Sequence, residues 1–330
     1  MQLYLKESVT STNTTEQTII APTISPLVLF NVYLGVGILA FIFYIFIIIY
    51  VSTHKSLRSA PNNYCLLILL IVEFLTRIIG LPFDLYYYHE GVALFENATF
   101  CFIWRMINYS GYGAGVMLIA WASFERHILI FHDRFLRSKW KNICFHYVPP
   151  FIVMVYVIGF YIYVLYFLPC SKILNFEIFV CGDDCIRNYP VLIAYRRIVH
   201  QMGPPICIGI FSVSLLIRVL YSKRRLQQAF SWRKHSKMAY QLLSISFTCL
   251  SAIFPFGLLI FLNEVGVRNI PKAISDYLYF YSTLIPFYLP FVYVTSIPEL
   301  WTKMKRKFRC AVIQTTPARN IAAREPQMRF

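Results

Sequence analysis

The stretch CFIWRMINYSGYGAGVMLIAWASFERHILIF, residues 101–131, decides how this chain is read. Near its end lies the triplet Glu125-Arg126-His127. It follows the apolar run Tyr112–Phe124 and precedes His132, Arg134, Arg137, Lys139 and Lys141. A charged pair at the edge of an apolar segment is costly to leave half-desolvated, and such pairs are usually functional. Cys101 stands 25 residues before Arg126. At ~1.5 Å per residue that separation is about 37 Å of helix, one membrane thickness. Cys101 therefore marks the outer end of a span and Arg126 its inner end.

The rest of the chain has the same character. It has 330 residues, 58% of them hydrophobic and only 14% charged, whereas soluble domains carry about 25% charged residues. Stretches such as Leu34–Val51 and Phe151–Leu168 are too long, apolar and aromatic for a soluble helical protein. Seven spans are read: Leu27–Val51, Tyr64–Tyr87, Cys101–Phe131, Phe145–Leu168, Val199–Tyr221, Met238–Leu262 and Ile274–Ile297. Each is long enough to cross ~30 Å of hydrocarbon as a helix. Arg196, Arg197 and His200 crowd the start of the fifth. The fold class is an all-α membrane protein, a seven-transmembrane helix bundle over residues 27–297. Residues 1–26 form an outer tail and residues 298–330 an inner one.

The net charge of +16 matters less than where it lies. With the N-terminus outside, the inner stretches hold two basic residues in the first loop, five from Arg126 through Lys141, seven around the third loop and eight in the tail. That makes 22 of the 31. The positive-inside rule fixes an N-outside, C-inside topology, as expected at the plasma membrane. Because the cations are split among four juxtamembrane stretches, a nucleic-acid partner is excluded. Anionic lipid of the inner leaflet accounts for most of them. The N-terminal segment has no signal-peptide core, so the first span serves as the targeting signal. Asn13-Thr14-Thr15 and Asn97-Ala98-Thr99 are glycosylation sequons on the outer side, at Asn13 and Asn97.

Of nine cysteines, Cys65, Cys207 and Cys249 fall in spans, and Cys144 and Cys310 face the reducing cytosol. Cys101, Cys170, Cys181 and Cys185 lie outside. Four outer cysteines suggest two disulfides with three possible pairings. A bridge from Cys101 to the loop after the fourth span would pin that loop over the bundle mouth. Cys101–Cys181 with Cys170–Cys185 is the preferred pairing, and the sequence leaves the others open.

Seven spans, an outside N-terminus, a cysteine 25 residues before a Glu-Arg pair and cysteines in the second outer loop together resemble the rhodopsin-like (class A) G-protein-coupled receptors. The resemblance runs over about Leu27–Cys310. Glu73 falls ten residues after Asn63, as the family's second-span acid follows its Asn. Pro204 and Pro205 offer the fifth-span proline and Pro255 the sixth-span one. Leu289-Pro290-Phe291-Val292-Tyr293 is similar to the seventh-span Asn-Pro-x-x-Tyr motif, with Leu for Asn. Pro298–Cys310 reads as a short interfacial amphipathic helix, and Cys310 is a palmitoylation candidate. Departures narrow the ligand. Asn108 stands where amine receptors carry Asp, and Thr283 where opsins carry the retinal lysine. The resemblance thus implies a peptide or small-molecule ligand that is neither an amine nor retinal.

In such a receptor Glu125 would hold Arg126 at rest. Pro255 would give the sixth helix a lever, and Tyr293 would swing toward Arg126 on activation, with His127 and Pro290 part of the same switch. A heterotrimeric G protein would be the inner partner. Arg105, Asn108, Tyr109 and Tyr112 on the third span and Tyr277 and Tyr281 on the seventh are the candidate contacts for the extracellular ligand. Arg105 would attract a carboxylate, or else bridge to Asp84 or Glu96. The family's sodium helpers are replaced by Gly115 and Leu289, which have no side-chain oxygen. Arg77, one turn from Glu73, is therefore expected to stand in for the ion. The alternative turns Arg77 outward to Asp84 and leaves Glu73 protonated. No cofactor, metal motif or catalytic grouping is read, so the chain is not expected to be an enzyme. The rival readings are a seven-helix chemoreceptor or channel without a G protein, and a small transporter. An epitope before Leu27 should stain intact cells, and one after Cys310 only permeabilised cells. Staining of the first tag only after permeabilisation overturns the topology.

Overall fold

In hydrocarbon the backbone has no water to bond, so each long apolar run must close its own hydrogen bonds as helix. The structure, a computed structural model, describes residues 24–55, 61–131, 140, 143–169, 174–182, 185–225, 229–264 and 271–296. Among these the chain forms seven helical rods and no strand. The first three rods are α1 (Pro26–Thr53), α2 (Pro61–Glu90) and α3 (Ala98–Phe131). The fourth is α4 (Val148–Ile162) between π-turns at Ile143–Tyr147 and Tyr163–Phe167. The fifth is α5 (Pro190–Tyr195), a π-turn at Arg196–Met202 and α6 (Gly203–Arg225). The sixth is α7 (Ala229–Glu264), and the seventh is the pair α8 (Lys272–Thr283) and α9 (Ile285–Ser296).

Five of these runs are long and apolar enough to cross a membrane, or six if the bent α8–α9 pair is one span. At 34 residues α3 is also long enough, but Arg105, Asn108 and Ser110 make its outer half more polar. The interfacial helix expected over 298–310, together with Asn13, Cys170 and Cys310, lies outside the described residues, as does the side chain of Cys185.

Which faces pack follows from helical spacing. On α1 the buried residues are Tyr33, Gly37, Ala40, Tyr44, Ile47 and Val51, spaced alternately four and three. Leu34, Ile38, Ile42, Ile45 and Ile49 on the same helix are exposed. A helix apolar all round but buried on one stripe has lipid on its other side. The buried stripe joins a core that includes Leu66, Leu69, Leu118, Ile208, Ile245, Phe287 and Tyr293. The third rod is central, packing against α2, α4, α6 and α7, while α1 closes the ring against α2 and α9.

Small residues set how closely α3 approaches α2. A Cβ on Gly111 would collide with the Thr76 side chain, and one on Gly115 with the Glu73 carboxylate. The seventh rod breaks by 45° around Leu284. Pro286 in the first turn of α9 explains the break, since it has no N–H for the Ser282 carbonyl and its ring crowds that turn. The Tyr44 hydroxyl donates to the Pro286 carbonyl at 2.6 Å and ties the bend to α1. Gly111→Ala should destabilise the fold by about 1–3 kcal/mol through overpacking, read as a lower thermal midpoint of the purified protein. An unchanged midpoint would show that Thr76 rotates away and that this contact sets nothing.

Candidate functional site

The end of the bundle that the charge distribution assigns to the outside, called the outer end here, is roofed by the loop that follows the fourth rod. Cys101 at the top of α3 is disulfide-bonded to Cys181, with 5.7 Å between the Cα atoms. Ala93 N–H donates to the Phe176 carbonyl at 2.8 Å, and the Tyr87 hydroxyl to that of Glu177 at 3.1 Å. Phe179 packs among Tyr87, Tyr88 and Trp104. The turn is left-handed at two non-glycine residues, Val180 (φ 55°) and Cys181 (φ 57°). That conformation is costly, above all for a β-branched residue, and persists only where surroundings over-determine it.

Arg105 does much of this. Its Nε donates to the Val180 carbonyl at 2.8 Å and its Nη2 to the Cys181 carbonyl at 2.6 Å. The sequence suggested Arg105 as a ligand contact or a bridge to Asp84 or Glu96. In the structure its guanidinium bonds the two left-handed residues of the roof, and Arg105 is not among the residues that line the cavity below.

Beneath the roof lies a cavity of about 120 Å³. Asn108, Tyr109 and Tyr112 line it, as the sequence placed them, and Thr283, the residue at the opsin lysine position, lines it too. Tyr277 and Tyr281 do not. They share a face of α8, but it is the outward one, 56% and 43% exposed, while Tyr279 and Ser282 face the cavity. Arg196, Arg197 and Gln201 also reach it. The wider π-turn over Arg196–Met202 brings all three to one side of the fifth rod. Asp84 accepts a bond from Trp104 Nε1 at 2.8 Å, and Asn108 donates to the Trp104 carbonyl at 3.1 Å.

The expected Glu73–Arg77 pair is not formed. Among the described residues no ion pair joins them. Arg77 turns into the outer cavity, its Cζ 5.7 Å from the Phe287 ring centroid. Glu73 lies against Gly115, so the serine that the family carries there would collide with the carboxylate. A cation over an aromatic face gains roughly 0.5–2 kcal/mol, and Arg77 takes that contact rather than curling back to Glu73.

The inner end holds the second cluster. Glu125 and Arg126 are both buried, at 3% and 1% exposure. The Glu125 carboxylate hydrogen-bonds His146 at the start of the fourth rod. The carboxylate expected to brace Arg126 at rest is thus also tied sideways to another rod, while its charge still acts on the neighbouring Arg126. His127 Nε2 donates to the Phe211 carbonyl on α6 at 2.7 Å. Tyr293 is buried, and its hydroxyl has no hydrogen-bond partner among the described residues. Pro255 and Pro290 both lie inside helices, as read. No group of His, Cys, Asp or Glu among the described residues could hold a metal.

His146, Tyr88, Tyr279, Arg196 and Arg197 were not singled out from the sequence, and Asp84 was named only as a possible partner of Arg105 or Arg77. Two adjacent arginines at the outer edge of a span were a usable signal, and they were read only as blurring its boundary. A histidine at the inner edge of the fourth span was indistinguishable from an ordinary interfacial one.

A roofed outer cavity and a buried charge cluster at the inner end of the same helix define a seven-helix membrane receptor architecture. The family model described as "7 transmembrane receptor (rhodopsin family)" matches residues 45–293. The chain belongs to that family. The crystal structure of squid rhodopsin is similar in fold, with a TM-score of 0.64 and 15% identity over 90% of this chain and 89% of that one. No curated protein matches the sequence.

Removing one partner of a buried pair strands the other, at roughly 3–5 kcal/mol. His146→Phe should therefore lower the thermal midpoint strongly, and Glu125→Gln combined with His146→Phe should recover part of the loss. Additive losses in that double-mutant cycle would show that the two side chains are not coupled.

Proposed function

We propose that this multi-pass membrane protein is a plasma-membrane receptor, N-terminus outside and C-terminus inside, that converts binding of an extracellular ligand into activation of a heterotrimeric G protein. It does so by signalling rather than catalysis. The observation that carries the reading is the disposition of α3, which presents Asn108, Tyr109 and Tyr112 to the outer cavity and buries Arg126 at its inner end. From Tyr112 to Arg126 is fourteen residues, about 21 Å of helix at ~1.5 Å per residue. A ligand shifts the resting–active equilibrium only by its differential affinity for the two states. A rod in contact with both ends is the means by which cavity contacts can bias the inner cluster.

The inner basic stretches suit anionic lipid of the cytoplasmic leaflet. Ser222–Gln241, the inner part of the sixth span and its approach, contains no acidic residue. No carboxylate there restrains Arg126 from the sixth rod, so signalling without ligand is expected. The ligand is a peptide or small molecule, because Asn108 gives a cationic amine no counter-ion and Thr283 gives retinal no amine.

The test uses the purified full chain in lipid nanodiscs with a panel of G-protein heterotrimers. Guanine-nucleotide exchange should rise above empty nanodiscs for at least one heterotrimer, and Arg126→Ala should return it to background. Exchange at background for every heterotrimer, or equal exchange by Arg126→Ala, overturns the coupling. Ionic currents in planar bilayers would instead support the channel reading.

A further inference from the structure

The outer cavity holds an imbalance of charge. Arg77, Arg196 and Arg197 line it against Asp84, and the Asp84 carboxylate is engaged by the Trp104 indole. Arg196 and Arg197 have further contacts of their own. Arg77 is buried, at 8% exposure, where both of those are half-buried; its Nε has no hydrogen-bond partner, and among the described residues it forms no ion pair. The Phe287 ring lies against it, and Asp84 and Glu73 act on it only through space. Taking a guanidinium out of water costs several kcal/mol unless an opposite charge and hydrogen bonds compensate it. A ring face returns only part of that.

We propose that the cavity receives a small organic acid, whose carboxylate pairs with Arg77 and whose apolar body lies against the tyrosines. This rests on the reading of the cavity as the entrance for an extracellular ligand and names the chemistry of that ligand. Three features choose the class. A planar guanidinium fork matches a planar carboxylate with two parallel bonds. The wall beside Arg77 is aromatic and hydroxyl-bearing, with Tyr33, Tyr88, Tyr112 and Tyr279 among the lining residues. The volume, about 120 Å³, is near the roughly 150 Å³ of a cavity that accepts one benzene ring. It therefore admits a one-ring or short-chain acid. A cation is opposed by the arginines. A phosphate could use the same cation, and the test below separates it from a carboxylate. Arg105, the arginine the sequence favoured for this task, is committed to the roof.

The test needs no G protein. Thermal unfolding of the purified full chain is followed against phenylacetate, hexanoate, phenylacetamide and phenyl phosphate. The acids should stabilise it saturably, with the low-millimolar affinity expected of so small a probe, and the amide should not. Arg77→Gln should weaken phenylacetate by roughly thirtyfold or more, as truncating one side of a buried charge pair does. Asp84→Asn should strengthen it several-fold. If Arg77→Gln does not fold, the comparison of acid with amide on the native chain decides. Equal stabilisation by acid and amide, no saturable effect of either acid, or undiminished binding by Arg77→Gln overturns the proposal. Tighter binding of phenyl phosphate than of phenylacetate overturns the carboxylate assignment. Nucleotide exchange without acid binding would leave the G-protein reading standing and this one fallen. Acid binding without exchange would do the reverse.

Discussion

Charge that has left water governs this bundle. Among the described residues Glu73, Arg77, Asp84, Arg105, Glu125 and Arg126 are all buried. In such surroundings a charge unsupported by hydrogen bonds or an opposite charge is penalised by several kcal/mol. The way each is answered fixes a part of the architecture. Arg105 is answered by two carbonyls of the roof, which holds an otherwise unfavourable left-handed turn over the cavity. Asp84 is answered by Trp104, joining α2 to α3. Glu125 is answered by His146, joining α3 to the fourth rod. Each of these bonds crosses between segments distant in sequence. The polar groups therefore do what apolar packing in lipid does poorly, which is to choose one register between helices whose outer faces are as apolar as their surroundings.

Departures from regular helix are placed where side chains must be aimed. The π-turn at Arg196–Met202 brings Arg196, Arg197 and Gln201 to the cavity. The break at Leu284 lets Tyr279 and Ser282 face the cavity, while α9 below it buries Leu289 and Tyr293 in the core. A straight helix through both segments would hold one face throughout. The hydroxyl of Tyr33 bonds Thr283 beside that break, and Tyr44 bonds Pro286 one turn further in. The first rod thus fixes the bend in the seventh, and with it the wall of the cavity.

Most of the fold was legible in the sequence, because the constraint of a bilayer is severe. Runs of apolar residues long enough to span had to be helices, and the rods cover the runs that were read, although the fifth starts at Pro190 and the sixth at Ala229, each ahead of the Val199 and Met238 read from the sequence. The Cys101–Cys181 bridge was also legible as the preferred pairing, since one cysteine tops α3 and the other sits mid-loop. Side-chain partners were not. Glu73 and Arg77 satisfy the four-residue spacing of a helical ion pair, yet spacing says nothing of Phe287 from the seventh rod, which offers Arg77 another seat. Tyr277 and Tyr281 satisfy the same spacing, but which face of α8 turns inward depends on how α8 packs on α7. Glu125 beside Arg126 suggested a pair by adjacency, and adjacency says nothing of a third group from another rod. The hydrogen-bond partner that Glu125 takes is His146, on the fourth rod.

The two ends of α3 are joined by more than its length. Outside, α3 is clamped by a disulfide and by Arg105, so its outer turns and the roof move as a unit. Inside, Glu125 and His127 tie it to the fourth and fifth rods through His146 and Phe211. Between them Gly111 and Gly115 lie against Thr76 and Glu73, leaving no space into which α2 could relax. A close-packed rod of this kind passes a displacement on instead of absorbing it. At the inner end of the seventh rod Tyr293 is left with a buried hydroxyl that lacks a hydrogen-bond partner among the described residues. Burying an unpaired hydroxyl costs roughly 1–3 kcal/mol by mutational measure. A rearrangement that gave it a partner would recover that amount, comparable to the ~1–3 kcal/mol typical of coupling between sites. On the receptor function proposed above, the inner half of the seventh rod is the element that would take up a second conformation, with α3 as the body against which it turns.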